Sequence, residues 1–232
     1  MEDSTDTVND TTLRWSGIIA RGLDAESFLQ GQLSQDITTV GPDGLWTLLL
    51  APDGVVITSA YAMATAEGYV IQVPRELGDV ALARLNKFLL RTKCTLELSD
   101  IDHGPFNVLS ERIQAGRPGP EEFAFSLTPQ CFGSSFVASS VSFTKGCFTG
   151  QELVGRLDAR GSSVPWRMVR ATGPSATRID EVLKSKGPAG PSGLTTSLRR
   201  GESIIGLGFA HRSLLGSQEL ELALDVHVVE IA

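Results

Sequence analysis

Cysteine is scarce in this 232-residue chain: there are three, Cys94, Cys131 and Cys147. An odd and small number excludes a disulfide framework, and no Cys-x-x-Cys or Cys/His spacing suggests a metal site or a stably bound cluster. No apolar run approaches the roughly 18 residues of a membrane span. The 24 glycines and 11 prolines mark many turns but follow no period, which excludes collagen-like and solenoid architectures. Positive charge is in the minority, 20 Lys and Arg against 27 Asp and Glu. The net charge of −7 argues against a broad nucleic-acid-binding face, which needs clustered cations. A local gathering of Arg156, Arg160, Arg167 and Arg170 is compatible with a small anionic ligand. Three scattered histidines, His103, His211 and His227, form no catalytic pattern. The N-terminus carries Glu2, Asp3, Asp6 and Asp10 and no apolar stretch, the wrong character for a secretory signal or a mitochondrial presequence. The expected compartment is the reducing cytoplasm, away from any membrane.

What remains is the composition of an ordinary globular protein, 41% hydrophobic and 20% charged. Residues 1–12 are polar and acidic and read as a disordered tail. Asp24 reads as an N-cap, with Ala25, Phe28, Leu29, Gln32 and Leu33 on one helical face. Leu45 to Ala51 and Val55 to Ala60 flank Pro52-Asp53-Gly54, a β-hairpin signal. Tyr69 to Val73 reads as a strand stopped by Pro74. Leu77 to Leu89 repeats at three and four as an amphipathic helix, and Thr95 to Leu98 alternates as a strand. Asn107 reads as the cap of a short helix ending at Gly116. After Gly161 the texture becomes short β-type runs, Met168 to Ala171, Ile204 to Phe209 and Val226 to Ile231, separated by turn-rich stretches. These patterns predict an α+β fold closing on an all-β barrel or sandwich. Residues 13–162 then form an α+β region, with 41–100 most of its second subdomain, and 163–232 the C-terminal barrel.

The block Lys145-Gly146-Cys147-Phe148-Thr149-Gly150-Gln151-Glu152 combines glycines, a cysteine and a Gln-Glu pair. Gly146 and Gly150 allow tight turns and close backbone approach. Gln151 to Leu157 reads as a helix start, so Cys147 is expected just ahead of a helix N-terminus, where backbone dipoles favour anions. Lys145 adds a nearby cation. These features describe a reactive thiol; a small buried packing residue is the alternative, since free cysteine is commonly buried. Gln151 and Glu152 are either ligand contacts or first-turn acceptors. Arg156 and Arg160 share a helical face if the helix extends that far, and face either a ligand or solvent. Trp166 reads as an anchor of the barrel core, with lining of the domain junction as the alternative.

The block resembles the Lys-Gly-Cys-Tyr-x-Gly-Gln-Glu signature of the YgfZ branch of the folate-binding superfamily, which also contains the glycine cleavage T-protein. Phe148 stands where tyrosine is usual. The likeness extends from about residue 13 to the end through Phe28-Leu29-Gln30-Gly31-Gln32, Pro129-Gln130, Val154-Gly155-Arg156 and Arg160-Gly161. The resemblance implies a ring of three small domains around a tetrahydrofolate site. It also implies a role in assembly or maintenance of iron-sulfur proteins, the clients, some of which modify tRNA. It implies Cys147 as a redox-capable thiol with Lys145 beside it, and Gln114, Gln151, Glu152, Arg156 and Arg160 as ligand-binding candidates. Two departures stand out. Arg112-Ile113-Gln114-Ala115-Gly116 places Gln114 where the T-protein has a pterin-contacting acidic residue, and Gly54 to Ala60 lacks the T-protein's aspartate. An aminomethyltransferase or other one-carbon transferase is therefore the alternative reading, and a thiol redox module without folate the third.

Overall fold

The computed structural model describes residues 10–161, 163–217, 220 and 223–232. The tail expected over 1–12 therefore falls mostly outside the described residues. Within them, Leu109 N donates to Thr11 O and Leu13 N to Asn107 O, so the chain is tied down from residue 11.

The order of elements is β1 (Trp15–Arg21), α1 (Ala25–Gln32), β2 (Leu45–Leu50), β3 (Val56–Thr65), β4 (Gly68–Pro74), α2 (Gly78–Asn86) and β5 (Thr95–Ile101). The short helices α3 (Leu109–Gln114), α4 (Pro120–Phe123) and α5 (Ser134–Ser140) follow, then α6 (Gln151–Ala159). The last part is β6 (Trp166–Gly173), α7 (Ala176–Lys184), β7 (Gly193–Arg200), β8 (Ser203–His211), α8 (Arg212–Leu215) and β9 (His227–Glu230). No described helix is long and apolar enough to cross a membrane.

The first five strands form one antiparallel sheet in the order β2-β3-β4-β1-β5. β1 thus lies between β4 and β5, and residues 41–100 share their sheet with it. Side chains alternate across a strand. Ile18, Ala20, Leu49, Ala60, Ala62, Ile71 and Val73 consequently face one way, onto α1 and α2, and bury against Leu29, Leu33, Ala81 and Leu85. The intervening positions present Trp15, Trp46, Ser59, Tyr61 and Gln72 on the opposite face. There Leu48, Leu50 and Val56 pack on the middle segment and on Met168 and Phe209 of the second sheet. Phe132 anchors this junction against Phe123, Phe136 and Phe209, with ring centroids 5.3–5.7 Å apart.

The second sheet corrects the barrel expectation. Its order is β7-β8-β6-β9, all antiparallel, and among the described residues β7 and β9 are unpaired edges, so the sheet is open. Nor is the region all-β. The Ser175 side chain accepts from Arg178 N to cap α7, which buries Ile179, Val182 and Leu183 on one face of the sheet. An amphipathic helix covers what barrel closure would otherwise bury. The fold is α+β with two antiparallel sheets joined by a helical middle, a coarser arrangement than the ring of three domains expected. Two caps also differ from expectation. Asp24 makes no cap bond, its carboxylate accepting instead from Lys93 N at 2.7 Å, and Val108 rather than Asn107 precedes α3.

Candidate functional site

The block around Cys147 is a loop clamped onto the C-terminal end of α1. Lys145, 9% exposed, donates its three ammonium protons to Gln30 O, Leu33 O and Gln35 O at 2.6, 2.8 and 2.9 Å. The terminal carbonyls of a helix lack intrahelical partners and carry partial negative charge, which a buried cation satisfies. Burial pushes Lys145 down to about 8, with Asp36 opposing. Ser142 N and Thr149 N donate to Ser34 O and Gly31 O, completing the clamp. The expected partnership of Lys145 with the thiol is therefore replaced by one with backbone carbonyls at the end of α1 and just beyond it, which occupy all three of its donors. Phe148 is buried in the core shared by the two sheets.

Gly150 is the left-handed residue before α6, with φ +85°. A Cβ there would lie 2.7 Å from Ala51 O, so the loop packs on the β2–β3 turn through a position only glycine fills. Gly146 has open space around it and no such constraint.

Cys147 is exposed, three residues before Gly150, whereas Cys94 and Cys131 are buried. Burial pushes both of those thiols up. Cys147 is expected to be alkylated first by iodoacetamide at neutral pH, as mapped by mass spectrometry. Faster labelling of either buried cysteine would remove it from consideration.

The other expected ligand residues do not gather. Glu152 is exposed and pairs with Arg156 at 2.5 Å, a surface contact four residues apart. Gln151 is half-buried at the start of α6. The helix ends at Ala159, so Arg160 is its exposed C-cap. Gln114 is exposed at the end of α3, on a small cleft with Ser110 and Arg200. Trp166 packs edge-on against His211.

The structure instead places a cavity of about 170 Å³ on the second face of the first sheet, and none of those seven residues lines it. Trp15, Trp46 and Phe106 form its aromatic wall. Trp46 stacks on Phe106 at 5.8 Å, and the Trp15 indole donates to Phe106 O at 2.7 Å. Gly116, with φ +63°, ends α3 and turns the chain so that Arg117 enters the wall. Its guanidinium lies 4.6 Å from the Trp46 ring centroid and donates to the Ser139 and Ser140 hydroxyls at 2.8 and 3.3 Å. Burial pushes Arg117 down to about 10, which leaves it charged at neutral pH. No carboxylate pairs with it among the described residues. Ser59, 3% exposed, lines the cavity with its hydroxyl unpartnered among the described residues. Glu76 and Glu121 add carboxylates to the lining. Arg14 and Arg112 also line it, Arg112 already paired with Glu121 and Glu122, so the site offers a planar apolar surface, two arginines without a carboxylate partner among the described residues, hydroxyls and two carboxylates, a set suited to a flat polar ring. Strand alternation in Leu45–Leu50 signals that Trp46 and Leu49 face opposite ways; nothing local marks Arg117.

No protein-family model matches the chain. An uncharacterised protein of Haemophilus influenzae is 26% identical, with 63% of this chain and 67% of that protein covered. The crystal structure of glycine cleavage system aminomethyltransferase T from Bartonella henselae superposes with a TM-score of 0.57, covering 88% of this chain and 78% of that one. The chain shares the fold of that enzyme. At 12% identity the likeness is one of fold alone.

Proposed function

We propose that the chain binds a tetrahydrofolate in the Trp15/Trp46/Phe106 cavity and serves as an accessory protein in iron-sulfur protein assembly or maintenance, with Cys147 as a redox-capable thiol. The cavity carries this reading: it is aromatic-walled and polar-tipped, on a fold shared with an aminomethyltransferase. The sequence resemblance supports the folate and the iron-sulfur clients, and the exposure of Cys147 supports the thiol. In this reading residues 13–162 carry ligand and thiol, 163–232 support them from behind, and the three-domain ring belongs to the same proposal.

A one-carbon transferase is the second reading, favoured by the shared fold. Against it, the hairpin presents the Ser59 hydroxyl to the cavity rather than a carboxylate that could orient a reacting nitrogen. Titration with tetrahydrofolate, followed by emission of the two lining tryptophans, is expected to show saturable quenching. Gln114→Glu, outside the cavity, is expected to leave it unchanged. No quenching, together with no calorimetric signal, would remove folate from the proposal. Production of methylenetetrahydrofolate from the lipoyl carrier of glycine cleavage, above a buffer blank, would favour the transferase.

A further inference from the structure

The geometry points to Arg117 as an anion anchor: the cavity takes a planar aromatic ligand bearing a carboxylate, and Arg117 holds that carboxylate. The inference rests on the cavity being a ligand site and, for the choice of folate-type probes, on the reading above.

Three observations meet at this residue. A cation removed from water is ordinarily paired with a carboxylate, and its neighbour Arg112 follows that rule with Glu122 at 2.8 Å. Among the described residues Arg117 does not; its partners are the hydroxyls of Ser139 and Ser140 and the faces of Trp46 and Phe136. Hydroxyls and ring faces orient a guanidinium without neutralising it. Second, the group is not saturated. A guanidinium has five N–H donors in a planar fork, and the two serine bonds leave three. Three donors on a fixed plane suffice for a bidentate carboxylate, the strongest neutral-pH partner for this geometry. Third, the Ser59 hydroxyl, without a partner among the described residues, lines the same space and can donate a further hydrogen bond. The aromatic requirement comes from Trp15, Trp46 and Phe106, which present ring faces and edges to whatever lies beside the anion.

The probes are 4-aminobenzoyl-glutamate, its dimethyl ester, 4-aminobenzoate, 6-methyltetrahydropterin and tetrahydrofolate. Each is titrated into the wild-type chain by calorimetry. The free acid is expected to bind at least tenfold more tightly than the ester, which keeps the ring and loses the charge. Arg117→Gln is expected to weaken the free acid by roughly 10- to 100-fold, the range charge-assisted hydrogen bonds support. Binding of the uncharged ester and of the pterin should change little in the same variant. Arg117→Lys, which keeps the charge and loses the fork, is expected to fall between. Equal binding of acid and ester to wild-type protein overturns the anchor whether or not the variants fold. So does equal weakening of the acid and ester by Arg117→Gln, and so does failure of every carboxylate probe to bind. If aromatic carboxylates bind and tetrahydrofolate does not, the anchor stands and the folate reading falls. If tetrahydrofolate binds with the same affinity to Arg117→Gln, the folate reading stands and the anchor falls.

Discussion

Replacing Glu122 with alanine is expected to lower the unfolding free energy by about 3–5 kcal/mol, the cost of removing one partner from a buried ion pair. The Arg112 and Glu122 side chains are 5% and 0% exposed and meet at 2.8 Å. Glu122 also accepts from Gly119 N at 2.7 Å, from Thr196 Oγ1 at 2.6 Å and from the Thr195 hydroxyl. Alanine would therefore remove the nearer of the two carboxylates on Arg112, which keeps Glu121 at 3.2 Å, and would leave the Gly119 amide and the Thr196 hydroxyl without their acceptor, in a site that already leaves Arg112 Nε unpartnered. The contacts tie α3, α4 and β7 together, so the loss should appear as a shift of the whole denaturant transition. The double replacement Arg112→Met with Glu122→Leu is expected to cost less than the sum of the single changes, because no unpaired charge remains. A loss below 1 kcal/mol for Glu122→Ala would mean that water or a shifted side chain replaces the pair.

Lys145→Met is expected to destabilise the chain by about 2–4 kcal/mol, with three backbone carbonyls left without their donor and partly offset by relief from burying an ammonium. The same change distinguishes the clamp from an electrostatic role at the thiol. A clamp predicts lost stability with the alkylation rate of Cys147 changed less than threefold in native conditions, whereas a thiol partner predicts a large fall in rate with little loss of stability. The pH dependence follows from the position of Lys145 at about 8 in the folded state. In the unfolded chain a lysine holds its proton to about 10.4. Between those values the unfolded state binds more protons, so the contribution of Lys145 to stability rises with pH across that window. Below pH 8 both states are protonated and the dependence vanishes. A ¹³Cε titration of Lys145 with a midpoint near 10.5 would contradict this.

The sequence pattern located many elements to within a few residues, and for a local reason. The strand β5 and the helix α2 bury one face each, so a period of two or of three and four is written into Thr95–Ile101 and Gly78–Asn86, whereas Leu45–Leu50 is a continuous apolar run buried on both faces. β1 escapes this logic. It is central, flanked by β4 and β5, and buried along most of its length, so Trp15–Arg21 shows no clean alternation. The helix α7 does carry a signal, Ser175 followed by Ile179, Val182 and Leu183, but nine residues between turn-rich stretches resemble the short β-type runs around them. The glycine at 150 was legible as a turn residue, and its positive φ bears that out.

The site was the harder part. The Lys145–Glu152 block was conspicuous in sequence because its residue types are unusual together, and its composition pointed to chemistry. Folding assigns Lys145 to carbonyls up to 115 residues away and Phe148 to the core, leaving Cys147 exposed. Composition and periodicity alone determined the α+β class, the hairpin, the helix start after Gly150 and the absence of a disulfide scaffold, because each depends on neighbours within a few positions. Only the tertiary structure decided which face of the sheet holds the cavity, that Arg117 lies on Trp46 with no carboxylate partner among the described residues, and that Arg112 pairs with Glu122 beside Thr196. Those are contacts between distant segments, and their energies depend on burial and on partners that no local pattern encodes.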